Sequence, residues 1–301
     1  MQKVVSDIVR HIKRTTGTDL SVFDEDFLKQ TLEKKMAEAG IHTLSDYRNE
    51  LLHKPETVRG LQNAFFVNYS EFFRDPLIYA LLWRWIFPLL FAKKAHSKEK
   101  EIRIWSAATA SGQEAYTLAM LLTEIEIQNP QQGVSIQIFG SDICSSEIEK
   151  AREGFYPVEQ LQKVPLKYIN EYFYPVAGGY RLIPRIRESV KFFVYDLLHA
   201  QTTSPPESIF GSFDIIYCSN LLIYYNEEAR QQILRKLFKN LVSHGVLITG
   251  DTEKAMISPS LFREMIPPAP IFQKTSDKEN PIPPDGIGFV HGTKESLFRP
   301  I

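Results

Sequence analysis

Four short stretches place acids, amides or hydroxyls where ordinary strands and helices do not need them. They are NYSEFFRD (68–75), SAATASGQEA (106–115), the end of VSIQIFGSD (134–142) and CSN (218–220), the last followed by Tyr224 and Tyr225. The small residues from Ala107 to Gly112 let a ligand approach the backbone, and the helix that follows offers free N–H groups. Glu114 falls in the first turn of that helix, where it would repel a pyrophosphate. It suits a ligand with a cationic group, or it simply complements the helix dipole. Asp142 closes an apolar run and can accept from the two vicinal hydroxyls of a ribose, or else cap the next helix. Asp196, after FFVY, can accept from an exocyclic amine or sit in a turn. Arg74 follows an aromatic pair, as a carboxylate-binding fork or as a snorkelling surface arginine.

Neither a G-x-G-x-x-G nor a G-x-x-x-x-G-K-[ST] pattern is present. The constellation asks for a ribose, a base amine and a cation, with no phosphate. S-adenosylmethionine meets those requirements and a nicotinamide dinucleotide does not.

The elements that must hold these residues are legible in the hydrophobic pattern. From about residue 101, the strand-like runs EIRIWSA, VSIQIFGSD, FFVYDLL, FDIIYCSN and GVLITG alternate with helical spacing over 113–128, 145–152 and 227–242. This predicts an α/β fold with a mostly parallel sheet, helices on both faces and ligands at the carboxyl ends of the strands. Residues 157–190 break the alternation with Pro157, Pro165, Pro175, Gly178-Gly179 and Pro184, and read as a small inserted β-subdomain. Residues 1–70 read as a helical domain, 71–273 as the sheet domain and 274–301 as a tail rich in proline and glycine. The apolar stretch 76–92 is interrupted by Arg84 and Pro88, and reads as a buried helix rather than a membrane span.

Composition limits the alternatives. The chain has 301 residues, 44% hydrophobic and 24% charged, with a formal net charge of −1. That balance provides no general attraction for nucleic acid or an anionic membrane. Two cysteines, Cys144 and Cys218, make neither a disulfide framework nor a metal site. A reducing cytoplasm is the simplest setting, and the first residues lack the pattern of a signal peptide.

Taken in order, NYSEFFRDP, IRIWSAATASGQEAYTLAMLL, FGSDICSSEIEKAREGFY, VYDLL and FDIIYCSNLLIYY with GVLITGDTE resemble the CheR-type chemoreceptor glutamate O-methyltransferases. The resemblance covers roughly residues 1–273. It implies a Rossmann-like class I methyltransferase sheet behind an N-terminal helical domain, with a small inserted β-subdomain. It further implies transfer of a methyl group from S-adenosylmethionine, leaving S-adenosylhomocysteine, to glutamates of chemoreceptor cytoplasmic domains. The cofactor-binding positions it implies are Asn68, Ser70, Arg74, Glu114, Asp142, Asp196, Leu197, Cys218, Ser219 and Asn220, and the catalytic ones Arg74 and Tyr224. Ser219 stands where the family usually has arginine, which motivates the alternative of a non-catalytic relative that binds the cofactor or its product as a signalling or scaffold module; a methyltransferase acting on another protein or a small carboxylate is a third reading. The N-terminal helix DFLKQTLEKKMAEAG is charge-balanced where family members often carry arginines.

Overall fold

Helices α1 (Gln2–Thr16), α2 (Glu25–Glu38), α3 (Leu44–His53) and α4 (Pro55–Ala64) open the chain. The computed structural model describes residues 2–128, 133–199 and 212–275. Local chemistry starts these helices. Asp24 accepts from the N–H groups of Asp26 and Phe27, Thr43 accepts from Asp46, and Pro55 occupies the first turn of α4. Their apolar stripes, including Ile8, Ile12, Leu32, Tyr47, Leu51 and Leu61, meet in a core of their own.

Next come α5 (Pro76–Leu81) and α6 (Phe87–Ala95), joined by a π-helical turn at Leu82–Ile86. The combined run is long and apolar enough to cross a membrane by length and composition, but only about a third of it is buried. Ile78, Tyr79, Leu82, Phe87 and Phe91 pack into the main core, whereas Leu77, Trp85 and Leu89 remain exposed. The expected buried helix is therefore buried on one face only, because at helical periodicity one side chain in three or four faces the sheet. Lys94 at its end forms a buried 2.9 Å ion pair with Asp214, whose other oxygen accepts from the Arg103 backbone N–H. Removing either partner would leave a charge stranded under the sheet.

The remaining elements are β1 (Glu101–Ala107), α7 (Gln113–Gln128), β2 (Ser135–Asp142), α8 (Ser145–Glu153), β3 (Phe155–Tyr156), α9 (Leu166–Tyr172), β4 (Phe173–Val176), β5 (Gly179–Leu182), α10 (Pro184–Arg187), β6 (Val190–Val194), β7 (Phe213–Tyr217), α11 (Glu227–Asn240), β8 (Leu241–Ile248), β9 (Phe262–Glu264) and β10 (Ile271–Lys274). Seven strands form one sheet in the order β6-β2-β1-β7-β8-β10-β9. The first five run parallel, β10 pairs antiparallel with β8, and β9 pairs antiparallel with β10 at the edge. Strand order reverses between β1 and β7, and the crevice outside their carboxyl ends is where such sheets seat ligands. Register brings the ends level: Ala107 lies beside Ser141, and Asp142 beside Val194.

Strands β3, β5 and β4 make a separate antiparallel sheet between α8 and β6. Gly179 permits its close packing, since a Cβ there would stand 2.3 Å from the Tyr156 carbonyl oxygen. At the other end of the chain Lys274, assigned from sequence to the tail, instead closes β10, with its Nζ donating to the Leu241 carbonyl. The rest of that tail, 276–301, lies outside the described residues.

Candidate functional site

A cleft opens at the switch point. Ala108 and Ala110 enter it after β1, Asp142 at the end of β2 and Ile143 just beyond, Tyr195, Asp196 and Leu197 after β6, and Ser219 and Asn220 after β7. The connection from α4 to α5 crosses the mouth with Asn68, Tyr69 and Ser70, and Glu114 lies at its base on α7. Three carboxyl groups line the cleft, with no lysine, arginine or histidine among the described lining residues. Such a surface disfavours phosphate and favours a cation.

The three acids are held differently. Asp142 accepts from the Ala110 N–H through Oδ2 and from the Cys144 N–H through Oδ1, both at 2.9 Å. It thereby ties the loop after β1 to the start of α8, and each oxygen keeps lone-pair capacity for a ligand. Burial raises its pKa, an effect the two N–H bonds oppose. Asp196 accepts from the Leu198 N–H at 2.8 Å through Oδ1. Glu114 is buried at 3% exposure, and its Oε2 finds no hydrogen-bond donor among the described residues. Desolvation raises its carboxyl to about 8, against the pull of the Arg74 guanidinium. Ser70 Oγ is a second buried polar atom without a described partner at the same cleft. Unsatisfied buried groups of this kind cost stability, and a ligand with N–H donors would satisfy them.

The backbone around the cleft is strained. Phe73, Ala108, Ala110 and Asn220 are non-glycine residues with φ of 50°, 58°, 47° and 58°. Each immediately precedes a candidate functional residue, lines the cleft or both, which is where proteins tend to hold such conformations.

One wall comes from the helical domain. Asp24 N–H donates to the Tyr224 carbonyl, Asn226 N–H to the Val22 carbonyl, and Asn226 Nδ2 to the Ser21 carbonyl. Phe23 stacks on Tyr225 at 5.1 Å, and Phe27 lies 4.8 Å from Tyr224. The tyrosine pair therefore fastens the helical domain to the sheet while presenting part of Tyr224 to the cleft.

Of the residues singled out in the sequence, Asn68, Ser70, Glu114, Asp142, Asp196, Leu197, Ser219, Asn220 and Tyr224 line this single cleft. Cys218 does not: it is fully buried, packed in the core under α11. Arg74 is also outside the lining; its guanidinium lies 5.4 Å over the Tyr69 ring, near enough to act on Glu114 and Tyr224 by charge. Sequence reasoning missed the part that Phe23, Phe65, Phe66 and Tyr195 play, with Tyr225, in an aromatic wall of the cleft. Tyr195 was the most accessible of these, as an aromatic directly before a strand-end acid.

The Glu114 carboxyl has a consequence for stability. Its folded pKa lies above that of an unfolded glutamate, so the folded state holds the extra proton between about 4.5 and 8. Stability contributed by the neutral form is complete below the lower value and falls as pH rises toward the upper. Glu114→Gln is expected to raise the unfolding midpoint by several degrees at pH 8 and by little at pH 5. Thermal melts of both proteins across that range check it; equal gaps at the two pH values would show that Glu114 is ionised in the fold.

Residues 68–267 match the family described as CheR methyltransferase, SAM binding domain. A chemotaxis protein methyltransferase of Escherichia coli is 30% identical over 249 residues, 80% of this chain and 81% of that protein. Chemotaxis protein methyltransferase 2 of Pseudomonas aeruginosa is 28% identical over 259 residues, 84% of this chain and 86% of that one.

Proposed function

The chain belongs to the CheR methyltransferase family, and from that premise we propose that it methylates glutamate side chains of chemoreceptor proteins, with S-adenosylmethionine as donor. The observation that carries the reading is the cleft itself, with three acids, no base among its described lining and an unpartnered buried carboxyl at its foot. The residues present fit the cofactor. Glu114 would accept from the ammonium of its methionine moiety, losing its proton on binding. Asp142 would hold the ribose hydroxyls, Asp196 would accept from the adenine amine, and Ser70 Oγ would gain a partner. Bound there, S-adenosylmethionine supplies an electrophilic methyl group on a cationic sulfur.

The protein's part is then alignment and exclusion of water. A glutamate carboxylate is already ionised at neutral pH, so no general base is needed. Arg74 attracts and orients it, and Tyr224, packed on Phe27, limits its approach to one direction. The aromatic wall keeps the reacting charges in a poorly solvated space, where attraction between them is strongest.

The test is incubation with methyl-labelled cofactor and receptor cytoplasmic fragments. Base-labile label on the fragments, at glutamates identified by mass spectrometry, is the expected result. Tight cofactor binding with no transfer to any receptor fragment would favour a non-catalytic signalling role, for which Ser219 is the motivating feature.

A further inference from the structure

Glu253 has no part in the site described so far, yet it is the most completely enclosed carboxyl near the cleft, with no exposed surface. It sits on the short 3-10 turn Asp251–Met256 that follows β8. Among the described residues no lysine or arginine pairs with it. Its partners are backbone N–H groups from two loops. Oε2 accepts from Gly250 at 2.7 Å and Asn220 at 2.9 Å, and Oε1 accepts from Leu222 at 2.6 Å. Two of these donors belong to the loop after β7, which turns at Asn220 with φ of 58° and delivers Tyr224 two residues beyond Leu222.

We infer that Glu253 is a positioning residue for methyl transfer: a buried carboxylate that grips the backbone on both sides of Leu221 and so sets where Ser219, Asn220 and Tyr224 meet the ligand. The inference rests on the reaction proposed above. Holding Asn220 and Leu222 at once takes a group that accepts through both oxygens, because the two N–H groups donate to different ones, Oε2 and Oε1. A glutamine would place an NH₂ against at least one of them, replacing an attraction by a clash. Gly250 belongs to the same device. A Cβ there would stand 2.9 Å from Asn220 Nδ2 and 3.2 Å from its backbone N, so the two loops approach closely only because this position has no side chain.

The device explains how a left-handed asparagine persists at a strand end without a glycine. The conformation costs free energy, and charge-assisted bonds to the flanking N–H groups offset it. It also explains the spacing in GVLITGDTE, where the glycine and glutamate are three residues apart. At that spacing the glutamate side chain returns to the N–H that begins its own turn and still reaches the neighbouring loop.

The test uses the full chain with Glu253→Gln, and Gly250→Ala as the milder variant should the first not fold. Melting curves first establish that each variant is folded at the assay temperature. With cofactor saturating, kcat for a receptor fragment is expected to fall about tenfold or more, while KM for the fragment changes by less than about twofold. Glu253→Asp, which keeps both acceptor oxygens on a shorter arm, is expected to retain more of the wild-type kcat than Glu253→Gln. Variants that are folded and turn over at the wild-type rate would overturn the inference. Wild-type protein that neither binds cofactor nor labels receptors would instead overturn the function on which it rests, and the two failures are separable.

Discussion

Arg74→Ala is expected to lower kcat/KM for receptor methylation by about 10³-fold, roughly 4 kcal/mol of transition-state stabilisation. The described cleft lining has no positive side chain, and Arg74 is the cation whose charge acts on both Glu114 and Tyr224. Removing it leaves an incoming carboxylate facing three acids with no positive side chain among the described lining residues to hold it. Lysine is not expected to restore the rate, since its point charge cannot hold a carboxylate through two parallel bonds. A second consequence distinguishes this account from simple misfolding. Arg74 holds the Glu114 carboxyl down against desolvation, so in Arg74→Ala the pH dependence of cofactor binding moves to higher pH. Steady-state kinetics together with calorimetric titrations across pH 6–9 check both, and an unchanged kcat/KM would remove Arg74 from the reaction.

Asp142→Ala should weaken binding of S-adenosylmethionine and of its demethylated product by about 100-fold each. Two effects combine. The ribose loses a carboxylate acceptor, and hydrogen bonds to a charged group contribute about 1.5–3 kcal/mol apiece. The Ala110 and Cys144 N–H groups also lose their partner, which frees a loop that contains two left-handed alanines. Asp142→Asn separates the contributions. It keeps one acceptor but must turn an NH₂ toward a backbone N–H, so it is expected to recover no more than a small part of the affinity. Isothermal titration gives the constants; affinity unchanged in the alanine variant would show that the ribose lies elsewhere.

Much of the cleft is legible in the sequence. Asp142 and Asp196 each stand at the end of an apolar run, and a run of that kind in an α/β chain is a strand whose carboxyl end faces the ligand crevice. Glu114 follows a stretch of small residues that marks the turn from strand to helix. These signals are local, carried by neighbours within a few positions. The assignment of Cys218 to the cleft failed to separate side chains that alternate along the extended chain: Ser219 points to the cleft while Cys218 enters the core. Period-two alternation does distinguish the two faces, but the one polar residue of Phe213–Tyr217, Asp214, is itself buried in an ion pair with Lys94 and gives no sign of which face meets the cleft.

The linear sequence by itself determined the alternation of strands and helices, the helical start of the chain, the acids at the strand ends and the lack of a phosphate-binding loop. Each depends on residue type and short-range spacing. Tertiary structure alone decided three further properties. Phe23 meets Tyr225 although most of the chain separates them, an encounter no local pattern encodes. Glu253 becomes a backbone clamp only when the loops after β7 and β8 are brought side by side. The Glu114 carboxyl is raised to about 8 because packing removes its water, and desolvation belongs to the assembled fold rather than to any residue in it.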